Sequence, residues 1–494
     1  MQQTKTLKFF ALLISTPFLC APSFGVTPLC KKANQEIATE LSQEKNQDPV
    51  TLQETLERTY MQNATLDAAR AGLRVQDENV SQANAEWRPS LGVQGNQTFN
   101  QTYQASPTSR SHSNTTGYTA TLTQNIYDGG ATIANIGKQE NTVFAGKAGL
   151  FSTEQTTLFS AVSAHADVIA KQDIVKYRQD SVSFYKKFHE RTQARFEVGE
   201  VGRTDVEAAL AEYEGAKGDL SGAIGDLEAA KATYFQIVAS SPENLAPANV
   251  LLPLPDSYED ALEVAENNNP TITEARFALE AAEYNVDLQS ANLLPDLNIQ
   301  GTVGNNRRTG TGLDTHPKQT QLGAQAVLNV PIYQQGIPSS QVRQAYQQVA
   351  QQKVTLVQTQ RQVEQDTRTA WENHIAAREA LKGYMAQVKA GELAVEGAME
   401  EANVGAKTIV DVLVLQQDLI QAQVQLVNAQ AALITTTYQV LQAMGSLMAC
   451  NLKLNVKYYD PDCYYNEYKD AWIQFWQGED LRYVKDEPCG PICK

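Results

Sequence analysis

After its N-terminal segment, the chain contains no run of about 18 consecutive apolar residues. A transmembrane α-helix needs about 20 such residues to cross the hydrocarbon core of a bilayer. Because unpaired backbone groups are not tolerated in lipid, the other way to cross a membrane is as a closed set of β-strands. The sequence therefore predicts either a soluble protein or one that crosses a membrane as strands.

Positive charge is also scarce. The chain carries 40 Lys and Arg residues against 56 Asp and Glu residues, which gives a formal net charge of −16. Proteins that bind nucleic acid neutralise its phosphates with Lys and Arg. We therefore expect no nucleic-acid partner.

Residues for catalysis and metal binding are few. The five histidines are scattered without the spacing of metal ligands, and no nucleophile stands near a base. We predict no catalytic, cofactor or metal site. Five cysteines follow the N-terminal segment, so at least one is free or paired between chains, and their pairing stays open. They are Cys30, Cys450, Cys463, Cys489 and Cys493.

The N-terminal segment is typical of a secretory signal. Lys5 and Lys8 accompany an apolar stretch that ends at Leu19, and small residues follow. We place cleavage after Gly25, which makes residues 1–25 a signal peptide. The mature protein is then exported, and its compartment permits disulfides.

The mature sequence contains an internal duplication, in which the two copies are offset by a constant 206 residues. A period this long indicates a duplicated supersecondary unit, because short-repeat solenoids have periods of roughly 20 to 50 residues. We predict a first repeat over residues 26–245, a second over 246–450 and a C-terminal tail over 451–494. Residues that recur include Leu56, Asn63, Pro89, Gly130, Gly199 and Asp205, which return as Leu262, Asn269, Pro295, Gly336, Gly405 and Asp411.

Each repeat opens with a predicted helix. Thr51 and Ser257 are suited to cap the first turns, and an acidic residue follows each of them three positions later. Apolar residues then continue at helical spacing. Pro89 and Pro295 are expected to end the two helices.

Two stretches of each repeat alternate between apolar and polar residues. In the first stretch, Leu91, Val93 and Phe99 form the apolar set, and the polar set is Asn, Gln and Thr with almost no charge. This pattern is typical of membrane β-barrel strands, although a half-buried sheet in a soluble protein alternates in the same way. We expect exposed loops at residues 106–113 and 307–316. The predicted strands cover about residues 91–103, 116–127, 297–305 and 319–332.

Long segments without proline follow each pair of strands. About 60 helical residues would extend over roughly 90 Å. Each segment ends in a glycine-containing turn, and the returning helix has an apolar residue at every seventh position, as at Val412, Leu419 and Leu426. Sustained heptads predict antiparallel coiled-coil pairs, and an ordinary four-helix bundle would explain the heptads but not the lengths. The predicted helical hairpins cover residues 131–240 and 341–447.

Four strands are too few to enclose a water-filled lumen. Because open sheet edges are not tolerated in lipid, several chains must share one barrel. Three chains would supply twelve strands, although the sequence alone allows other multiples.

The duplicated order of helix, strand, strand and helical hairpin resembles the TolC-like outer-membrane factors of tripartite efflux pumps and type I secretion systems. The resemblance covers the mature chain to about residue 450 and is most specific at the turns RFEVGEVGRTDV and NVGAKTIVDVL. It implies a membrane α+β fold: a homotrimer shares a 12-stranded outer-membrane β-barrel, which continues into a long periplasmic α-helical barrel of coiled-coil hairpins. It also implies a channel without catalysis, which opens when a periplasmic adaptor and an inner-membrane pump engage the hairpin tips.

The resemblance also implies a gate at these tips. Thr204 and Asp205 match the family's gate residues on the first hairpin, and Lys407 stands where the family has an arginine. An ammonium lacks the bidentate fork of a guanidinium, so we expect a looser latch. Ala402 replaces a gating tyrosine.

Asp411 matches an inward aspartate of the family, which in a trimer would form a ring of three carboxylates that favours cations. A second inward aspartate is replaced by Val414, so one ring is missing. Asp205 and Asp411 also suit helix N-terminal capping, and that role is compatible with a gate or a ring.

The predicted function is therefore an exit duct in a Gram-negative outer membrane, surrounded by outer-membrane lipid, with its helical part in the periplasm. The alternative is a secreted structural coiled-coil protein or adhesin in which the strands form a soluble cap. The cargo, drugs or secreted polypeptide, stays open.

Overall fold

The computed structural model of the chain describes residues 49–105, 108–310 and 318–472. The predicted signal peptide, together with Cys30, Cys489 and Cys493, lies outside these residues. Within them, none of the helices is both long enough and apolar enough to span a bilayer.

The first repeat contains two short helices, two strands and two long helices. Its elements are α1 (Leu52–Gln62), α2 (Ala64–Ala85), β1 (Ser90–Ala105), β2 (Thr108–Tyr127), α3 (Ala131–Glu197) and α4 (Arg203–Val238). The second repeat has the same elements in the same order. They are α5 (Tyr258–Asn268), α6 (Pro270–Ala291), β3 (Asp296–Gly310), β4 (Lys318–Asn329), α7 (Ile337–Asn403) and α8 (Ile409–Ala443), and the short helix α9 (Pro461–Tyr468) follows.

The prediction of one continuous helix at the start of each repeat is wrong. The first breaks at Asn63, whose backbone is extended and whose Oδ1 accepts hydrogen bonds from the amides of Thr65 and Leu66 at 2.9 and 3.2 Å. An asparagine in this geometry caps a new helix. The apolar spacing continues across the break, so periodicity alone did not indicate it.

The second repeat breaks in the same way at Asn269. The Asn269 Oδ1 accepts from the amide of Thr271 at 2.9 Å, and Pro270 occupies the first helical position. The Nδ2 groups of Asn63 and Asn269 then donate to the carbonyls of Ile237 and Ala443 at 2.8 and 2.9 Å. These contacts are separated by the same 206 residues, so both asparagines tie a short helix to the end of a long one.

The four strands form one antiparallel sheet in the order β1-β2-β3-β4. The predicted loops are wrong for residues 108–113 and 307–310, which pair in regular register with neighbouring strands. Their Ser, Thr and Gly content resembles a loop, but pairing with a neighbouring strand sets where a strand ends. Residues 106–107 and 311–317 lie outside the described residues.

The sheet has one apolar face that is open to its surroundings. Leu91 and Leu122 are cross-strand partners on this face, and Leu91 is 72% exposed. Leu322 of β4 is 80% exposed. Other exposed members are Val93, Phe99, Tyr103, Tyr118, Ile299, Val303 and Leu328. A continuous apolar surface of this kind indicates contact with a membrane or another protein.

The helices α3 and α7 each contain 67 residues, about 100 Å of helix. Each returns through a tight turn into α4 or α8. Along α4, the alanines at every seventh position are buried, as expected for a heptad seam. They are Ala209, Ala216, Ala223 and Ala230.

A polar network lies inside the first repeat, where the short helices pack on the long ones. His165 is fully buried, with its Nε2 2.9 Å from the carbonyl oxygen of Ala246 and its Nδ1 3.0 Å from Thr55 Oγ1. Thr55 Oγ1 is also 3.0 Å from the Tyr234 hydroxyl. Because a carbonyl can only accept, Nε2 carries a proton, and in the neutral ring Nδ1 accepts from Thr55. Burial lowers the pKa of His165, which favours the neutral ring.

The C-terminal segment, which is the chain after α8 (residues 444–472), packs along the first repeat. Its backbone amide at Ala449 donates to Glu154 at 2.8 Å, and Asp462 of α9 forms an ion pair with Lys147 of α3. The Tyr464 hydroxyl donates to Glu78 at 2.7 Å. Cys450 and Cys463 are each disulfide-bonded.

Candidate functional site

The candidate site lies at the two hairpin tips, where α3 turns into α4 and α7 turns into α8. In the first turn, Gly199 has a φ of 77°, and the amide of Glu200 donates to the carbonyl of Arg195 at 2.9 Å. In the second, Gly405 has a φ of 79°, and the amide of Ala406 donates to the carbonyl of Glu401 at 2.8 Å. Both are glycine-terminated helix ends of the Schellman type.

Asp205 lies three residues into the start of α4 and closes the first tip. Its Oδ2 accepts a hydrogen bond from the amide of Gly202 at 3.0 Å, and its own amide donates to the Gly202 carbonyl at 3.1 Å. Within the described residues, its Oδ1 has no hydrogen-bond partner. The neighbouring Thr204 is exposed. One carboxylate oxygen of Asp205 therefore stays available beside an exposed hydroxyl.

Asp411 closes the second tip more tightly. Its Oδ2 accepts from the hydroxyl of Thr408 at 2.7 Å and from the Thr408 amide at 3.0 Å, and Thr408 Oγ1 accepts from the Asp411 amide at 3.2 Å. These hydrogen bonds, first that of the hydroxyl and then that of the amide, hold the pKa of Asp411 below its ordinary value, and Lys407 adds to the effect. Asp411 is exposed and ionised at neutral pH.

The structure does not bring Lys407 to Asp205 within one chain. The Lys407 ammonium lies 3.0 Å from Glu401 Oε2, at the end of α7. Arg195 makes a similar link to Glu200 across the first turn at 3.0 Å. Both pairs are substantially exposed and are therefore weak. A latch between Lys407 and Asp205 stays a prediction about neighbouring chains.

The two tips share an apolar core. Ile409 and Leu413 of α8 pack with Tyr185 of α3, and Ala402 is buried near Val412. A cavity of about 20 Å³, enough for about one water molecule, lies in this region. Ala402 is one of the residues that line this cavity.

Sequence reasoning missed the immediate partners of the predicted gate residues. The capping hydroxyl of Thr408 could have been found, because Thr followed by Asp three residues later is a capping pattern. The partners Glu401 and Glu200 gave no comparable signal. Among the residues that the structure describes, no group of three or more His, Cys, Asp or Glu side chains is placed to hold a metal ion.

The chain matches the family model described as outer membrane efflux protein, over residues 55–239 and 261–446. The two matched segments begin 206 residues apart, at the period of the internal duplication. They contain both hairpins and all four strands.

Individual proteins are similar over most of their length. The outer membrane efflux protein BepC of Brucella suis biovar 1 (strain 1330) is 34% identical over 424 residues, which are 86% of this chain and 91% of BepC. The outer membrane protein TolC of Escherichia coli (strain K12) is 25% identical over 420 residues, 82% of this chain and 83% of TolC. The crystal structure of the Campylobacter jejuni CmeC outer membrane channel superposes with a TM-score of 0.69 at 15% identity, and covers 85% of this chain and 89% of CmeC.

Proposed function

Because the chain belongs to the outer membrane efflux protein family, we propose that three copies of it close one twelve-stranded barrel in the outer membrane and form an exit duct. The observation that carries this proposal is the open sheet. Within the described residues, β1 and β4 each have a neighbour on one side only. In lipid those edges must pair, and β1 of one copy next to β4 of another satisfies both.

The two faces of the sheet suit the two environments of such a barrel. The apolar face would contact outer-membrane lipid, and the polar face, which carries almost no charge, would line a water-filled lumen. The helices α3 and α7 leave the same end of the sheet after β2 and β4. They would continue the duct into the periplasm, which places both tips far from the outer membrane.

The tips are the natural contact for a periplasmic adaptor and an inner-membrane pump, because they are the part of the duct that lies farthest from the outer membrane. The cargo is either a drug-like molecule or a secreted polypeptide. Profiling both drug susceptibility and the secretome after deletion of the gene would distinguish the two.

The gate proposed for the closed duct uses the contacts between chains. The Lys407 ammonium would leave Glu401 and pair with Asp205 of a neighbouring copy, or it would bind both carboxylates. Thr204 would contribute its hydroxyl as a further hydrogen-bonding group. Support comes from the free Oδ1 of Asp205 and from the exposure of the Lys407 side chain. Such exposed pairs are each worth about 1 kcal/mol or less, so a partner protein can open them.

Detergent extraction tests the duct, and planar-bilayer recordings test both the duct and the latch. The wild-type protein should be extracted from outer membranes by detergent as a trimer and should insert into a bilayer as a channel of low conductance. A detergent-free soluble monomer would contradict the duct. The double variant Asp205→Ala with Lys407→Ala should raise the conductance, while Lys217→Ala, which removes an exposed lysine of α4 away from the tip, should leave it unchanged. Equal conductance in all three proteins would refute the latch.

The ring proposed for Asp411 has a separate test. Its Oδ2 is engaged by Thr408, whereas its Oδ1 has no partner within the described residues and could face the lumen. Asp411→Asn removes the charge and retains a side chain that can accept the capping hydrogen bonds. We expect weaker block of the channel by multivalent cations. Unaltered block would remove the assignment.

A further inference from the structure

The charged residues of the sheet are segregated by sign along the strands. The only acidic residue in the described strands is Asp296, at the start of β3, whereas basic residues lie toward the hairpin end of β3 and β4. Those whose side chains the structure describes are Arg307, Arg308 and Lys318. The hairpin ends are the ends of the sheet away from the long helices. The cations therefore cluster at the end that the proposed function places at the cell surface.

The strand register places two of these cations side by side on the lipid-facing side. Arg307 and Lys318 are direct cross-strand partners. They belong to the same alternating set as Val303 and Leu322, which are also partners and form part of the exposed apolar face. Arg308 belongs to the opposite, polar set.

The pair lies where the apolar face ends. One step below it on the same face are the partners Asn305 and Thr320, whose side chains are hydrogen-bonded at 3.0 Å, and Tyr118 lies opposite Asn305 on β2. Arg307 is eleven residues from Asp296 in β3. For a strand tilted by about 40°, this is a rise of roughly 27 Å, close to the height of about 25 Å of a barrel's apolar band. The two cations are therefore at the outer hydrocarbon boundary.

This arrangement is costly without a partner. Like charges directly opposite each other destabilise an antiparallel pair. Among the residues that the structure describes, neither Arg307 nor Lys318 forms an ion pair, and both are exposed. The equivalent positions of the first repeat, 206 residues earlier, hold Gln101 and His112, which are also cross-strand partners. The cationic pair is thus a feature of the second repeat alone.

We propose that Arg307 and Lys318 form a binding site for the phosphate of a glycolipid headgroup in the outer leaflet of the outer membrane. A guanidinium and an ammonium side by side can share one phosphate through charge-assisted hydrogen bonds, and Asn305, Thr320 and Thr116 surround them with further polar groups. A trimer carries three such sites around the barrel. The inference rests on the proposed insertion in the outer membrane, and it adds a specific lipid contact to it.

Lipid binding to the delipidated trimer in neutral detergent tests the site, with native mass spectrometry as the measurement. The probes are diphosphorylated lipid A, the same lipid after removal of its phosphates, and inorganic phosphate. The test variant is Arg307→Gln with Lys318→Gln. Arg308→Gln and the single variant Arg307→Gln form the matched pair, because each removes one positive charge from β3, on opposite faces. Arg307→Lys with Lys318→Arg keeps the charges.

We expect the double Gln variant to bind diphosphorylated lipid A at least about tenfold more weakly than the wild type, since it loses two charge-assisted hydrogen bonds, each of which is worth a factor of about ten or more. Arg308→Gln and the charge-keeping variant should retain most of the affinity. The dephosphorylated lipid should bind the wild type and the double Gln variant equally, and inorganic phosphate should bind far more weakly than the lipid.

Equal binding of phosphorylated lipid by the wild type and the double Gln variant would overturn the proposal, as would equal losses in Arg307→Gln and Arg308→Gln. Inorganic phosphate that binds as tightly as the lipid would overturn the assignment to a lipid. Trimer mass and channel conductance are recorded for every variant. A wild-type protein that is not a trimeric channel would refute the proposed function, whereas a conducting trimer without phosphate preference would refute only the lipid site.

Discussion

The first repeat encloses a hydrogen-bonded histidine where the second encloses only apolar side chains. His165, Thr55 and Tyr234 form a buried polar chain in the first repeat. The equivalent residues, 206 positions later, are Trp371, Ala261 and Val440, and they belong to an apolar cluster. At Asn63 and Asn269, by contrast, both repeats keep the same side chain and the same hydrogen bond. The two repeats thus have the same residue where a side chain bonds to the backbone of a long helix. They differ at all three positions of the buried polar chain.

The C-terminal segment creates a second difference. In the second repeat, Lys353 lies 3.5 Å from Glu283, and both are exposed. The equivalent residues are Lys147 and Asp77, but Lys147 pairs with Asp462 of α9. Asp77 is only 3% exposed, and neither of its carboxylate oxygens has a hydrogen-bond partner within the described residues. A segment without a counterpart in the repeat has therefore changed the charge balance of the first copy.

His165→Ala should produce the largest loss of stability. It leaves a cavity and removes a hydrogen-bond partner of Thr55, which together cost about 3 kcal/mol. Thermal unfolding of the detergent-solubilised protein measures the change. The control is His374→Ala in the second repeat, where the histidine is half-buried and lies 3.3 Å from Thr437. Equal losses in the two variants would mean that the polar chain adds nothing.

Asp77→Asn should stabilise the protein by about 2 kcal/mol at pH 8. Burial is the main cause that raises the pKa of Asp77 to about 6 from an ordinary 3.8, so its ionised form opposes folding above pH 6. The gain should shrink as the pH falls from 6 and should vanish below pH 4, where Asp77 is protonated in both states. Unfolding at several pH values checks this, with Glu283→Gln as the exposed control. A gain that does not depend on pH would contradict the assignment.

His165 predicts the opposite pH dependence. Its pKa is lowered by burial, so the unfolded chain binds a proton at a pH where the folded chain does not. The contribution of His165 to the free energy of unfolding is therefore complete above pH 6.5. It is lost as the pH falls toward the pKa of His165 in the folded protein. The Asp77→Asn protein isolates this effect, because the opposing carboxylate is absent. Its stability should fall from pH 7 to pH 5, and the fall should be smaller in the combined variant with His165→Ala.

The smallest expected effect concerns the two tips. Thr408→Ala removes the capping hydroxyl of α8 and should cost about 1 kcal/mol. Gly202→Thr would give α4 the same cap, and should add a few tenths of a kcal/mol because Gly202 already has an extended backbone with a φ of −83°. Hydrogen exchange at the two tips measures both changes. If Gly202→Thr destabilised the first tip, the missing hydroxyl would not be the reason that α4 is capped less tightly than α8.

The repeat, the heptads and the alternating strands predicted duplicated strands and long helical hairpins, whereas the outer-membrane location and the efflux role came from the resemblance at the turns; the match to the family confirms the fold class, the location and the role. The heptads and the alternating strands follow from local periodicity, and the repeat follows from comparing the two halves of the chain. The breaks at Asn63 and Asn269 were missed because a capping side chain can interrupt a helix without disturbing its apolar spacing. The pairing of Lys147 with Asp462 joins residues 315 positions apart, which no local pattern indicates. The gate residues Thr204, Asp205 and Lys407 and the ring residue Asp411 stay predictions, since they depend on contacts between chains.

Pairing of β1 with β4 of another copy is the central claim, and site-specific photo-crosslinking tests it most directly. A photoreactive side chain at Phe99 of β1, which is exposed on the apolar face, would be activated in isolated outer membranes. Pairing of β1 with β4 predicts products of two and three chains and no larger, with the crosslinked peptide drawn from residues 318–329 of another copy. Crosslinks confined to a single chain, or a series of products beyond three chains, would contradict it.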